Sequence, residues 1–270
     1  MYSPLQLAEA FIHTGELADA LAALDAHLAA EPHDAGARRL RAAALLRQGD
    51  RASLDRALAD LAALPAPGAD DFAQQAVISA RLGSAAAVLE AARQALALRP
   101  ADERLAERLV DLLAACGCPA EALDVVRAQP RAWRWLEREG DLLAQTGSWA
   151  LAAARYGRAL AQLEAVSAAG DPVIASLRAA ILLKRAEVLR RQGELDSAAA
   201  CLDSAAELAP TEPFIPFLRG LLLALAGDHP GALALCGPAC AAASAPLRAE
   251  MQRALAGDAR LAPLAQQLNA

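Results

Sequence analysis

The sequence predicts an all-α solenoid of antiparallel helix pairs, and three observations carry that prediction. Hydrophobic residues make up 56% of the 270-residue chain but aromatics only 3%. The apolar content is therefore mostly alanine and leucine, both strong helix formers. Runs of Val, Ile, Tyr, Phe and Trp, the usual mark of strands, are nearly absent. Glycines recur at a fixed interval: they fall at 15, 49, 83 and 117, each 34 residues after the last, then at 147, 193, 227 and 257 with spacings of 30, 46, 34 and 30. Each ends one helical pattern and precedes another, and a period in the thirties with this layout marks stacked helical hairpins.

The segments after the glycines correspond: GELADA, GDRASL, GSAAAV, GCPAEA, GSWALA, GELDSA, GDHPGA and GDARLA. The glycine closes the first helix of a pair, where it can take a left-handed backbone without a Cβ penalty. An acid follows in several repeats, near the start of the second helix, where the helix dipole favours negative charge. Five residues past each glycine stands a small or apolar residue, Ala20, Leu54, Val88, Ala122, Ala152, Ala198, Ala232 or Ala262, which lets the two helices approach closely. Proline ends the second helix at Pro32, Pro100 and Pro210.

In chain order this gives repeats near 1–34, 35–68, 69–102, 103–132, 133–178, 179–212 and 213–242, followed by a cap over 243–270, all within one domain of 1–270. Two irregularities stand out. Four residues are missing between Gly117 and Gly147, where Pro130 ends the second helix early. Twelve are added between Gly147 and Gly193, including VSAAGDPV. The insertion predicts a lengthened second helix, a turn near Gly170–Pro172 and a lengthened first helix, with a bent joint that divides the array softly into two blocks. The cap repeats the ALAGD of 224–228 at 254–258, and its polar QQLNA end suits a solvated terminal face.

These residues resemble the tetratricopeptide repeat (TPR) family over nearly the whole chain. The similarity is clear in Leu7–Pro32, Gly140–Leu160 and Arg185–Pro210. In the last, Ala186, Leu189, Gly193, Ala198, Leu202, Ala205 and Pro210 match the family's small, apolar and proline sites. The first repeat departs at His27, where the family has a small residue, and the second at Arg41 and Leu54. The resemblance implies a right-handed solenoid whose first helices line a concave groove that holds an extended peptide or a partner's helix.

On that face the charge pattern is most regular from Arg104 to Arg191. Arg104–Gly117 and Arg134–Gly147 share the pattern RxxERxxDLLAxxG. Arginines four apart, Arg104 with Arg108 and Arg134 with Arg138, share a helix face, as do Glu107 with Asp111 and Glu137 with Asp141. By the family resemblance Arg108, Arg138 and Lys184 would form a basic rung and Asp111, Asp141 and Glu187 an acidic one, with Arg191 beyond. Two readings are open: a charged groove for a peptide with its own carboxylates and cations, or a ladder of salt bridges between neighbouring helices. TPR domains that clamp the carboxylate of chaperone tails use asparagine on this face. Here the matching sites are Glu9, Ala43, Val77, Asp111, Asp141, Glu187 and Leu221, so such a clamp is not expected. In the seventh repeat Phe214, Phe217, Leu221 and their neighbours present more apolar surface than one neighbour covers. Burial under the cap is the expected outcome, an apolar contact site the alternative. Trp133, Trp135 and Trp149 are expected to fill the joint at the four-residue deletion.

Little here points to chemistry. Net charge is −6 and the pI about 5.3, which argues against a nucleic-acid footprint. All basic residues but Lys184 are arginine, the better bidentate partner for carboxylates. None of His13, His27, His33 and His229 is read as paired at metal-ligand spacing, and nucleotide-binding and hydrolase motifs are absent. Five cysteines show no disulfide framework. Cys116 and Cys118, and Cys236 and Cys240, could form a redox pair or half a zinc site, but incidental thiols are the preferred reading. No leader or membrane span is read. The expectation is a cytoplasmic adaptor or scaffold, monomeric, that binds a protein or peptide. It has no cofactor, metal, nucleic-acid or membrane partner, and no catalysis. A self-assembling solenoid, or a thiol or metal protein, is the alternative.

Overall fold

The computed structural model describes residues 3–166 and 171–268. Its elements are helices, and no strand occurs among the described residues. The chain divides into two compact blocks, 1–129 and 130–270, where the sequence suggests one domain. The division falls at the short link before Pro130, not at the twelve-residue insertion.

The N-terminal block holds α1 (Pro4–Thr14), α2 (Leu17–Ala30), α3 (Ala35–Gln48), α4 (Arg51–Ala62), α5 (Ala69–Arg81), α6 (Ala85–Leu98), α7 (Glu103–Ala115) and α8 (Pro119–Ala128). The C-terminal block holds α9 (Trp133–Gln145), α10 (Trp149–Val166), α11 (Pro172–Gln192), α12 (Leu195–Leu208), α13 (Phe214–Leu225), α14 (His229–Ala242), α15 (Ala245–Ala256), a 3₁₀ turn (Ala259–Leu261) and α16 (Ala262–Leu268). Within each block consecutive helices pack as hairpins and each hairpin packs on the next. The inserted residues lengthen α10 to 18 residues and α11 to 21. The turn expected near Gly170 falls mostly on residues 167–170, outside those described.

The periodic glycines do what the pattern demands. Those at 15, 49, 83, 117, 147, 193 and 227 all have positive φ, between 75° and 95°. The close-packing positions are buried in seven repeats: Ala20, Val88, Ala122, Ala152, Ala198 and Ala232 are fully enclosed and Leu54 nearly so. The cap departs on both counts, because Gly257 has φ −76° and Ala262 is exposed. The acid after the glycine caps its helix only where it is aspartate. Asp50 accepts from the Ser53 amide and Asp228 from the Gly231 amide. Glu16 and Glu194, one methylene longer, make no such bond.

The atypical second repeat is compensated by charge. Arg41 donates to both oxygens of the buried Asp60 at 2.6 and 2.7 Å and to Asp25 at 2.6 Å. The hydrogen bond to Asp60 leads the interactions that raise the arginine's pKa. In the same block Arg39 forks onto the buried Asp71 at 2.8 and 2.9 Å. In the C-terminal block the fully buried Glu139 takes Arg155 at 2.7 Å and Arg131 at 3.2 Å. A carboxylate can stay ionised inside such a core because guanidinium supplies several directed donors.

Two helical glycines permit close approach. A Cβ at Gly140 would lie 2.5 Å from the Tyr156 ring, and one at Gly220 would lie 2.4 Å from the Cys236 sulfur and 3.0 Å from the Ala232 carbonyl. Gly237, also helical, has nothing within 4 Å of the added carbon. Gly220→Ala is therefore expected to destabilise the chain by about 1–3 kcal/mol through overpacking. Gly237→Ala is expected to stabilise it by roughly 0.5–1 kcal/mol through helix propensity. Urea unfolding of the two variants gives opposite signs if the α13–α14 spacing is as described.

Candidate functional site

The face built by the first helix of each hairpin carries a cavity in each block. In the N-terminal block a cavity of about 380 Å³ lies between α5 and α7, against Ala73, Val77, Leu109, Leu112 and Ala115, with Arg108 and Asp111 beside it. In the C-terminal block a cavity of about 460 Å³ is walled by α9, α11, α13 and α15. Ala180, Leu183, Val188, Phe214, Leu247 and Ala254 line its apolar part. Lys184, Glu187, Arg191, Glu212, Glu250 and Arg253 supply its charges.

Several of those charges are already satisfied within the block. The Lys184 ammonium donates to Glu137 at 2.8 Å and to Asp141 at 2.9 Å, across from α11 to α9. Burial alone would lower the lysine's pKa, but Asp141 and Glu137 outweigh it and the net shift is upward. The Tyr156 hydroxyl donates to the other Asp141 oxygen at 2.7 Å. Its pKa is raised first by burial and then by the negative charge of Asp141. Glu187 accepts two bonds from Arg190 at 2.8 Å and one from Arg191 at 2.7 Å. The Arg191 guanidinium also lies 5.2 Å from the centre of the Trp149 ring. The buried Arg190 reaches Asp258 at 2.9 Å, so α11 is tied to the turn before the 3₁₀ segment. Asp258 is held down at about 2, chiefly by the Arg260 side chain.

The site residues read from the sequence therefore separate. Arg108 and Asp111 border the α5–α7 cavity, and Arg104 is exposed on α7. Arg134 is exposed and Arg138 half-buried on α9; both, like Asp111, have interactions of their own. Lys184 is paired with Glu137 and Asp141 on α9, a salt bridge between helices of the kind the sequence left as one alternative, whereas Glu187 pairs with Arg190 and Arg191 on its own helix. Of the apolar candidates Phe214 reaches the cavity, whereas Phe217 and Leu221 are fully buried and are not a contact surface. The helix that carries them, α13, packs against α14, α15 and the 3₁₀ turn. Trp135 is buried in the core and Trp149 serves as the platform for Arg191.

Sequence reasoning missed Tyr156, Leu183, Leu247 and Arg253. The α15 residues were hidden because that segment reads as a cap, yet it forms a wall of the cavity. It also missed His27, Glu31 and Asp34. The His27 Nε2 lies 2.7 Å from Asp34 Oδ2, and one ligand atom from each of the three residues falls within 4.8 Å of the others. The His27–Glu31 spacing of four was the available signal. Four of the five cysteines are not activated: burial raises the thiols of Cys118, Cys201 and Cys240 and pushes Cys236 up to about 12.

Solved structures carry the comparison furthest. The C-terminal part of a TPR repeat-containing protein from Cytophaga hutchinsonii aligns over 93% of this chain and 99% of its own, with TM-score 0.61 and 12% identity. The chain has the TPR solenoid fold. A tetratricopeptide repeat protein from Parabacteroides merdae covers 93% of this TPR-fold chain and 96% of its own, with TM-score 0.52 and 15% identity. The Naa15/Naa10 complex bound to HypK-THB aligns over 94% of the chain and 38% of its own, with TM-score 0.56 and 13% identity. No family model matches, and no curated protein does. Among the described residues no helix is long and apolar enough to cross a membrane.

The Tyr156–Asp141–Lys184 network has a pH signature. Tyrosine and lysine are both raised, so each contributes stability that is intact below the ordinary range near pH 10 and is lost as pH climbs past it. Urea midpoints should fall steadily above about pH 10, and fall less steeply in Tyr156→Phe. Equal alkaline losses in the two proteins would show that the phenol is not held by this network.

Proposed function

We propose that this protein is a cytoplasmic, non-catalytic adaptor that binds a protein or peptide segment on the first-helix face, with the α9–α11–α13–α15 cavity as its principal contact. The supporting observation is the cavity's construction. Four successive first helices contribute to it, and apolar side chains from all four, Ala144, Leu183, Phe214 and Leu247 among them, meet inside a charged rim. An apolar recess with fixed polar groups around it suits an anchor side chain of a partner. The TPR fold supports the same reading, since one solved relative is described as a complex of several chains.

The rim shapes the kind of affinity expected. Lys184 and Glu187 are compensated by neighbours, so a partner gains little from them beyond position. Arg253 and Glu250 are exposed at the edge and can orient a segment carrying both signs of charge. The energetic weight then rests on burying an apolar anchor over Leu183, Phe214 and Leu247. The raised thiols give no support to a thiol-enzyme reading.

The test starts from partners captured with the full chain and identified by mass spectrometry, then measured by calorimetry. Leu183→Glu and Leu247→Glu, each checked for helix content, should weaken the interaction by about tenfold or more. Arg108→Glu with Arg138→Glu should have the smaller effect, and added salt should matter little. Unchanged affinity in both leucine variants would remove the cavity from the binding site. A large loss confined to the arginine pair would restore the charged-groove reading in its place.

A further inference from the structure

Among the described residues the fold uses one backbone hook three times, and at one of them all three side chains are of types that can ligate a metal. At the end of α2 the Glu31 amide donates to the His27 carbonyl, and the Asp34 amide donates to the Glu31 carbonyl. At the end of α6 the same two bonds join Arg99 to Ala95 and Asp102 to Arg99. At the end of α12 they join Ala209 to Ala205 and Glu212 to Ala209. The helix-ending residues Glu31, Arg99 and Ala209 share nearly one backbone conformation, with φ of −126°, −136° and −142° and ψ of 74°, 69° and 71°. The corresponding trios are thus His27–Glu31–Asp34, Ala95–Arg99–Asp102 and Ala205–Ala209–Glu212. The hook forms with alanine at the first position and arginine or alanine at the second, so neither the imidazole nor the Glu31 carboxylate is needed to build it.

We propose that His27, Glu31 and Asp34 form a binding site for a divalent d-block cation, with Zn²⁺ as the reference ion. One imidazole and two carboxylates are a donor set that such ions take, with water completing the shell. The first shell is pre-oriented on one side. Asp34 Oδ1 accepts the Ala37 amide at 3.0 Å, which turns Oδ2 toward His27. Ligand carboxylates are commonly fixed in this way by an outer hydrogen bond. His27 is largely buried, with 13% of its side chain exposed, so its ring has little freedom to leave. Glu31 is exposed, and no bond to its carboxylate is found among the described residues, so it can rotate inward. With metal–ligand bonds of about 2.0–2.2 Å the two ligand atoms of His27 and Asp34 stand a little over 3 Å apart, so their 2.7 Å contact need open by only about 0.5 Å. The nearby cation Arg38 is directed elsewhere. It donates to the Pro32 carbonyl at 2.7 and 3.1 Å and lies 3.6 Å from Asp60. A bound ion would pin the end of α2 to the start of α3.

The test titrates ZnCl₂ into chelator-treated full-length chain by calorimetry, with the thiols kept reduced. The expected result is one Zn²⁺ bound at the site, with affinity falling by about tenfold or more in His27→Ala and in Glu31→Arg. Both substitutions import residues that the third repeat carries on the same hook, and circular dichroism checks that the helices remain. Cobalt(II) separates this site from the cysteines: nitrogen and oxygen ligands give weak visible bands, and thiolate gives an intense near-ultraviolet band. No saturable binding, binding that survives both substitutions, or a thiolate band accounting for all bound cobalt would each overturn the proposal.

Discussion

Close approach of paired helices is the constraint on which this structure depends. A hairpin of two helices cannot bury an apolar face by itself, and here the faces are made largely of alanine, which fills little volume. Such faces form a dense core only if the backbones come near each other. Small residues at the crossing points allow this, among them Ala20, Ala122, Ala152, Ala198 and Ala232, all fully enclosed. Gly140 under the Tyr156 ring and Gly220 against Cys236 are the limiting cases, where even a methyl group has no room. The left-handed glycines return the chain at a short, constant distance. Every later feature, including the cavities and the first-helix face, inherits this spacing.

A thin alanine core leaves room for long side chains to enter from the edges, and the chain fills that room with arginine–carboxylate pairs. Asp60, Asp71 and Glu139 are buried, and each meets at least one guanidinium. Lysine, a point charge on a flexible stem, could not supply two parallel donors in these positions. The single lysine stands where the geometry differs, between Glu137 and Asp141 on the neighbouring helix. The preference for arginine therefore has a structural use here.

The fold was legible because its signal is periodic. Eight glycines in register outweigh any one weak match, and the helix boundaries follow from the prolines and caps. The division at Gln129 was not legible, because a shortened link and a lengthened one both interrupt the period, and spacing does not say which loosens contact. The candidate site was legible only in part. Helix spacing put the charges on one face, but whether Lys184 meets solvent or Glu137 depends on a residue 47 positions away. Arg41 looked like a defect in the repeat because its partners, Asp25 and Asp60, lie on two other helices. The wall supplied by α15 was invisible because a terminal helix that caps a stack and one that lines a cavity share the same amphipathic pattern.

The bond from Arg190 to Asp258 has a bearing on how the chain is made. Synthesis runs from the amino end, so α13 emerges before the segment that shelters it. Until the 3₁₀ turn has left the ribosome, α13 lacks its contacts with α15 and that turn, and Arg190 lacks one of its two carboxylates. A nascent chain that stops short of α15 thus leaves the apolar helix α13 without those contacts. The segment from α15 to the 3₁₀ turn therefore completes both the packing of α13 and the charge balance of Arg190 late in synthesis.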